Sequence, residues 1–252
     1  MNTADRVLAV LSLFTMSAPE WSVEEAARAL DLSVSTAYRY FRSLVDVGLL
    51  VNFTAGRYVI GPAIIEFDRQ TRHFDPLIRS AEGSLNELIH AAPVPLVGLL
   101  CRIYRLTVIC VDQASIERQP FAVSYERGRP MPLLKGAASL AIAAHLPTRT
   151  LKPYFESHAG SAGEWDQFRT RFRLIRKQGF SVTTGELDAG LIGIGAPIFG
   201  PEGEILASVG VVTRAADVGG DVLASLYQEV RRAGIEVTDL LNKHRKGELG
   251  TI

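Results

Sequence analysis

The 252-residue sequence holds two cysteines, Cys101 and Cys110. That excludes the disulfide-dense scaffold of a small secreted domain. Lysine plus arginine and aspartate plus glutamate number 27 each, so the formal net charge is zero and no bulk basic field announces nucleic acid. A long hydrophobic run is also missing. The N-terminal stretch VLAVLSLF is eight residues long, follows Asp5 and Arg6 and lacks a cleavage-site pattern. It is better read as a first helix than as a signal peptide or membrane span, and the chain is expected in the cytoplasm. His73, His90, His145, His158 and His244 have no ligand spacing with either cysteine, so neither a metal site nor a cofactor is expected. The cysteines sit in two β-prone runs, PLVGLLC and LTVICVD. A hairpin centred near Ile103 and Tyr104 would pair Cys101 with about residue 106, which points to free buried thiols. With 47% hydrophobic and 21% charged residues, the chain can build two ordinary cores.

What is present concentrates at SVSTAYRYFRSLVDVGLL, residues 33–50. Ala37, Phe41, Leu44 and Val45 make a stripe of helical period, with Ser35, Arg39, Arg42 and Asp46 opposite. Ser33 suits the N-cap, and Gly48 suits the stop. A preceding helix in WSVEEAARALDLS has Ser22 and Glu25 placed for a capping box and Val23, Ala26, Ala27 and Leu30 facing inward. Only Asp31 and Leu32 separate the two. Short helices joined so tightly, the second with an exposed polar start, outline a helix-turn-helix whose second helix enters the DNA major groove. LLVNF and RYVIG, separated by Thr54, Ala55 and Gly56, read as a hairpin wing. A helix from about Thr3 to Met16, with Val7, Leu8, Leu11 and Phe14 inward, completes the module. The first 61 residues carry five arginines against six acids. Glu24, Glu25 and Asp31 belong to the supporting helix and turn, whereas Arg39, Arg42 and Arg57 belong to the recognition helix and wing. Ser35, Thr36, Tyr38 and Arg39 are expected nearest the bases, with Ser33 beside them and Arg42 and Arg57 on phosphates.

Beyond the wing, residues 62–73 read as a connecting helix opened by Pro62, and Asp75 as the N-cap of the next. The rest mixes strands and helices outside a strict βαβ rhythm. The strand pair already described is followed by a strand near FAVSY, a helix from Gly136 to His145 and two more helices before Gly179. Strands in GFSVTTGE, GLIGIGAPIF and GEILASVGVV and a last helix from about Val222 to Lys243 complete the chain. This is an α+β pattern around an antiparallel sheet. Gly136 after PLLK opens a helix whose first N–H groups could receive a carboxylate, with the small Ala137, Ala138 and Ser139 allowing a close approach. The same residues fit a capped helix packed tightly on a sheet, and they leave the two readings open.

The N-terminal module, YVIGPAIIEF after the wing, RGRPMPLLKGAASLAIAAHLP and IRKQGFSVTTGELDAGLIGIGAPIFGPEGEILASVGVV together resemble the IclR family of bacterial transcriptional regulators, in the same order and over nearly the whole chain. The resemblance implies a winged helix-turn-helix DNA-binding domain (1–61), a linker helix (62–73) and a GAF-like effector-binding domain (74–246). It further implies operator DNA as a partner, a homodimer or dimer of dimers, and a small-molecule effector, usually a carboxylic acid, controlling a catabolic operon. It moves Gly136, Ala137 and Ala138 toward a ligand pocket. Positions aligned with the polar pocket wall of the family's keto-acid sensors hold Thr183, Gly193, Gly210 and Val212 here, and only Thr183 keeps a hydrogen-bonding side chain. Open volume at the glycines and an apolar wall at Val212, extended by Met131 and Leu133, suggest an aromatic or longer-chain carboxylate. Enzyme readings fare worse. GLIGIGAPIFG places Pro197 where a dinucleotide fold needs a helix to begin, GAAS lacks the strand–Ser–helix context of a nucleophile elbow, and Glu186 and Asp188, with no nucleophile or metal beside them, read better as a strand end or the mouth of a pocket than as an acid–base pair. A ligand-independent regulator and a protein–protein adaptor remain as alternatives.

Overall fold

The computed structural model describes residues 3–116, 121–158 and 162–245. The chain divides into two compact units between Asp75 and Pro76.

In the N-terminal unit, α1 (Thr3–Leu11), α2 (Val23–Ala29) and α3 (Val34–Asp46) precede the hairpin β1 (Leu50–Thr54)–β2 (Arg57–Ile60), and α4 (Ala63–Phe74) ends the unit. Helix α1 is shorter than expected. Its last turn gives way to turns at Ser12–Phe14 and a bridge between Thr15 and Ala18, where Thr15 Oγ1 also accepts from the Ala18 N–H. Leu8 points outward at 58% exposure and Val10 is the fully buried residue, which corrects the expected inward set. The core joins Val10, Val23, Ala26, Ala27, Ala37, Tyr40, Phe41, Leu44 and Leu50. Trp21 bridges Tyr58 through two backbone hydrogen bonds, so the wing gains a short third edge. Gly48 takes φ +73°, the left-handed stop expected of it.

In the C-terminal unit, a six-stranded antiparallel sheet runs β5 (Pro130–Met131), β4 (Thr107–Ala114), β3 (Leu96–Tyr104), β8 (Ile205–Arg214), β7 (Leu191–Phe199), β6 (Ser181–Thr184). One face packs on α5 (Pro76–Ala91) and α9 (Gly220–Arg245). The other packs on α6 (Ala137–Ala143), α7 (Thr148–His158) and α8 (Ala162–Gln178). No strand forms at FAVSY; the edge strand is the two-residue β5, after Arg129.

The cysteine pairing differs as well. Arg105 and Leu106 both adopt positive φ, 49° and 59°, so the β3–β4 turn centres there, and a register shift between Leu100 and Cys101 sets Cys101 directly opposite Cys110. Both thiols are free and fully buried, and burial pushes the Cys101 thiol well above its ordinary value.

Candidate functional site

Two regions gather the predicted residues. At the recognition helix, Ser33 Oγ accepts from the Thr36 N–H at 3.3 Å and donates to Thr36 Oγ1 at 2.9 Å. The cap thus presets the hydroxyl cluster of Ser33, Ser35 and Thr36 at the start of α3. Before it, Ser22 and Glu25 close a reciprocal capping box on α2, and Asp31 turns the chain at φ 52°. Ser35, Tyr38, Arg39 and Arg42 are exposed while Ala37, Tyr40, Phe41 and Leu44 are buried beneath them. One face of α3 is therefore committed to the core, and the opposite face presents hydroxyls, a phenol and two guanidinium groups in a form able to reach base edges and phosphates.

Arg57 is held differently from Arg39 and Arg42. Its Nη2 lies 3.1 Å from Glu20 Oε1 and its Nη1 2.5 Å from Glu25 Oε2. The wing arginine expected on phosphate is spent on two carboxylates, one of them the carboxylate that caps α2. The Ser22 N–H, with Arg57 behind it, holds the Glu25 carboxyl below the usual carboxylate range.

The second region lies between α6 and the sheet. Gly136, Ala137, Ala138, Thr183, Gly193 and Val212 line one cavity with Leu99, Tyr125, Glu186, Leu187 and Asp188. Its free space is about 30 Å³, room for a single water rather than for a ring. The reason is how α6 is held. Ser181 Oγ donates to the Ala137 carbonyl at 2.6 Å, and Ser208 Oγ donates to the Ala138 carbonyl at 2.9 Å. A Cβ on Gly193 would meet Ala137 Cβ at 3.3 Å, and one on Gly195 would meet the Ala137 carbonyl at 3.0 Å. The missing side chains let the helix approach the strands; they do not leave an open void.

Three predicted residues fall outside the cavity. A Cβ on Gly210 would collide with the Ile194 carbonyl oxygen of the neighbouring strand, so that glycine permits close backbone contact. Met131 and Leu133 are buried among core side chains on the same face of the sheet.

The helix start is already occupied in part. The Gly136 N–H donates to Glu186 Oε2 at 3.1 Å, and the Ser139 N–H donates to the Tyr125 hydroxyl at 3.1 Å. Burial pushes Tyr125 above the ordinary tyrosine value, so its hydroxyl stays protonated. Glu186 Oε1 takes Arg171 Nη2 at 2.6 Å, while Asp188 accepts from the Ser124 N–H at 2.9 Å and from its hydroxyl at 2.6 Å. Among the described residues no cluster of three or more histidine, cysteine or acidic side chains could hold a metal, and no helix is long and apolar enough to cross a membrane.

Comparison with known proteins places this geometry. Residues 3–52 match the IclR helix-turn-helix domain, and residues 76–238 match the bacterial transcriptional regulator IclR C-terminal domain. The chain belongs to the IclR family of transcriptional regulators. It is 22% identical over 245 residues to the HTH-type transcriptional regulator KipR of Bacillus subtilis, covering 94% of this chain and 96% of that protein. To XynR of Escherichia coli it is 22% identical over 250 residues, covering 96% and 97%. An IclR regulator from Alicyclobacillus acidocaldarius superposes with a TM-score of 0.78 at 16% identity, covering 95% of this chain and 98% of that one. An IclR homologue from Microbacterium hydrocarbonoxydans, solved with 4-hydroxybenzoate, gives 0.72 at 18% identity, covering 95% and 99%. The winged module is this IclR regulator's DNA-binding domain, and its relatives are transcriptional regulators, not enzymes.

Sequence reasoning missed Tyr125 and Leu187 in the lining of this IclR protein's cavity, and Arg171 as the partner of its Glu186. Tyr125 lay in a stretch read as strand, and Arg171 lies on α8, 15 residues before the glutamate it pairs with. Glu186 and Asp188 were visible as a possible pocket rim, and they do line the cavity.

Proposed function

We propose that the chain is a ligand-responsive regulator of a catabolic operon that reads operator DNA as a homodimer or dimer of dimers, with an aromatic or longer-chain carboxylate as its effector. The observation that carries the DNA half is the α3 face. Arg39 and Arg42 are exposed and in no ion pair among the described residues, beside a hydroxyl cluster preset by the Ser33 cap. In this reading Ser35, Thr36, Tyr38 and Arg39 meet bases with Ser33 beside them, and Arg42 meets a backbone phosphate. Residues 1–61 serve as the DNA-binding part, 62–73 as a linker and 74–246 as the effector part. Helix α4 buries no side chain in the single chain and exposes Ile65 at 73%, Phe67 at 52% and Phe74 at 67%, a surface suited to a second copy.

The effector half rests on the cavity of Gly136, Ala137, Ala138, Thr183, Gly193 and Val212, supported by the 4-hydroxybenzoate complex of the Microbacterium homologue. The small free space favours one alternative, a regulator that answers to no ligand. Selection of bound duplexes from a random pool, footprinting with parent and Arg39→Ala, and a thermal-shift screen of carboxylic acids test both halves. Two protected half-sites weakened by Arg39→Ala, together with stabilisation by an acid, are expected. Unchanged footprints sink the DNA assignment, and a parent stabilised by no acid favours the ligand-independent form.

A further inference from the structure

We propose that Arg171 is the anion anchor of this cavity and that residues 185–190 are a lid which, in the ligand-free chain, keeps that anchor occupied with Glu186. This rests on the reading of the cavity as the effector site. The segment GELDAG runs between two glycines in the left-handed region, Gly185 at φ 66° and Gly190 at φ 76°, a conformation glycine adopts without strain. Each carboxylate between them is bound to a partner outside the segment. Glu186 takes Arg171 and the Gly136 N–H; Asp188 takes the Ser124 N–H and hydroxyl.

Leu187, between the two latches, is turned inward onto Gly136, so close that a Cβ there would overlap its Cδ1. With Leu187 in place the free space is about 30 Å³, against roughly 300–1,000 Å³ in ordinary small-molecule sites. A ligand enters only as Leu187 withdraws, and Leu187 withdraws as the latches on either side open. Opening the Glu186 latch strips Arg171 of its carboxylate. An incoming carboxylate restores the pair while Glu186 moves into water. A neutral ligand of the same shape leaves the guanidinium without its counter-charge. Preference for acids thus arises by exchange of one carboxylate for another and needs no empty cationic pocket.

The full chain is titrated calorimetrically with benzoate and with benzamide, and backbone amide exchange is followed without ligand. Glu186→Gln keeps the side-chain shape and removes its charge. It should bind benzoate and benzamide each about tenfold more tightly than the parent, because the cost of opening falls for either compound, and amides of 185–190 and Gly136 should exchange about tenfold faster while those of β7 and β8 keep their rates. Arg171→Gln loses the pair in the closed and the benzoate-bound state alike, so benzoate should stay nearly unchanged while benzamide tightens about tenfold and the preference for the acid disappears. Unchanged exchange at 185–190 in Glu186→Gln overturns the lid. A preference for benzoate over benzamide that survives in Arg171→Gln overturns the anchor. If the lid amides accelerate but neither compound binds parent or variant, the effector-site reading itself fails and takes the anchor with it.

Discussion

Three glycines of the central sheet, replaced one at a time by alanine, separate close packing from open pocket volume. At Gly193 the added Cβ meets Thr183 Oγ1 at 3.2 Å and Ala137 Cβ at 3.3 Å, both side-chain atoms that can give by a few tenths of an ångström. The loss of backbone freedom in the unfolded chain favours alanine by about 0.4–1 kcal/mol, so Gly193→Ala should be near neutral. At Gly195 the contacts are backbone: the Ala137 carbonyl carbon and oxygen at 3.0 Å and Ala138 Cα at 3.1 Å. Those atoms are fixed by Ser181 and Ser208, so α6 must move as a body, at the roughly 1–3 kcal/mol of core overpacking. Gly210 is the cross-strand partner of Gly195, and its Cβ would overlap the Ile194 carbonyl. Strands β7 and β8 would have to part, so Gly210→Ala should cost about 3 kcal/mol or more. Urea unfolding is followed by Trp165 fluorescence in a Trp21→Phe background, since these are the only tryptophans and they sit in different units. Had the glycines opened volume for a ligand, all three substitutions would leave the midpoint nearly unchanged and alter ligand binding alone. A Gly210→Ala midpoint equal to the parent's would refute the packing argument.

Arg39→Ala should cost about 1–3 kcal/mol of operator affinity and relax sequence preference, read by anisotropy on the selected duplex and its point variants. Arg57→Ala should instead lower the melting temperature of the winged unit and leave the salt slope of DNA binding intact, because its partners are Glu20 and Glu25; a slope reduced by about one unit would return Arg57 to the phosphates. Burial, with Arg176 adding to it, holds the His145 pKa below its ordinary value. A depressed folded-state pKa means that the unfolded chain binds more protons, so this contribution to stability is complete above about pH 6.5 and is lost as pH falls below it; a denaturation series from pH 8 to 5 should show the loss, and His145→Asn should flatten it. Ile65→Asp with Phe67→Asp should shift sedimentation toward the monomer, and an unchanged profile would place the dimer contact elsewhere.

The recognition helix was legible because its determinants are local: a stripe of period 3.6, Ser33 at the cap, Gly48 at the stop and a two-residue turn. The same holds for the capping box at Ser22 and Glu25. What stayed hidden depends on residues far apart in the chain. Arg57 reads as a phosphate contact until the fold brings Glu25 to it across 32 positions. A glycine in a strand can mean space or close approach, and only the placement of α6 and β7 decides that Gly193 faces the cavity while Gly210 meets backbone. The opposition of Cys101 and Cys110 depends on a turn made by Arg105 and Leu106 in left-handed conformations, for which neither residue type carries a signal. The cavity rim was legible as chemistry, two carboxylates after a strand, but their partners Arg171 and Ser124 were not.

In the proposed function, effector occupancy of the cavity changes DNA binding by α3. The most direct test is the affinity of the full chain for its selected duplex, measured by fluorescence anisotropy at fixed salt with and without a saturating carboxylic acid taken from the thermal-shift screen. The expected result is a change of about 5–150-fold, the usual range of coupling between two sites, and its loss in Leu187→Trp, where the larger side chain holds the cavity filled. Equal affinity with and without the bound acid, or an undiminished change in Leu187→Trp, would contradict it.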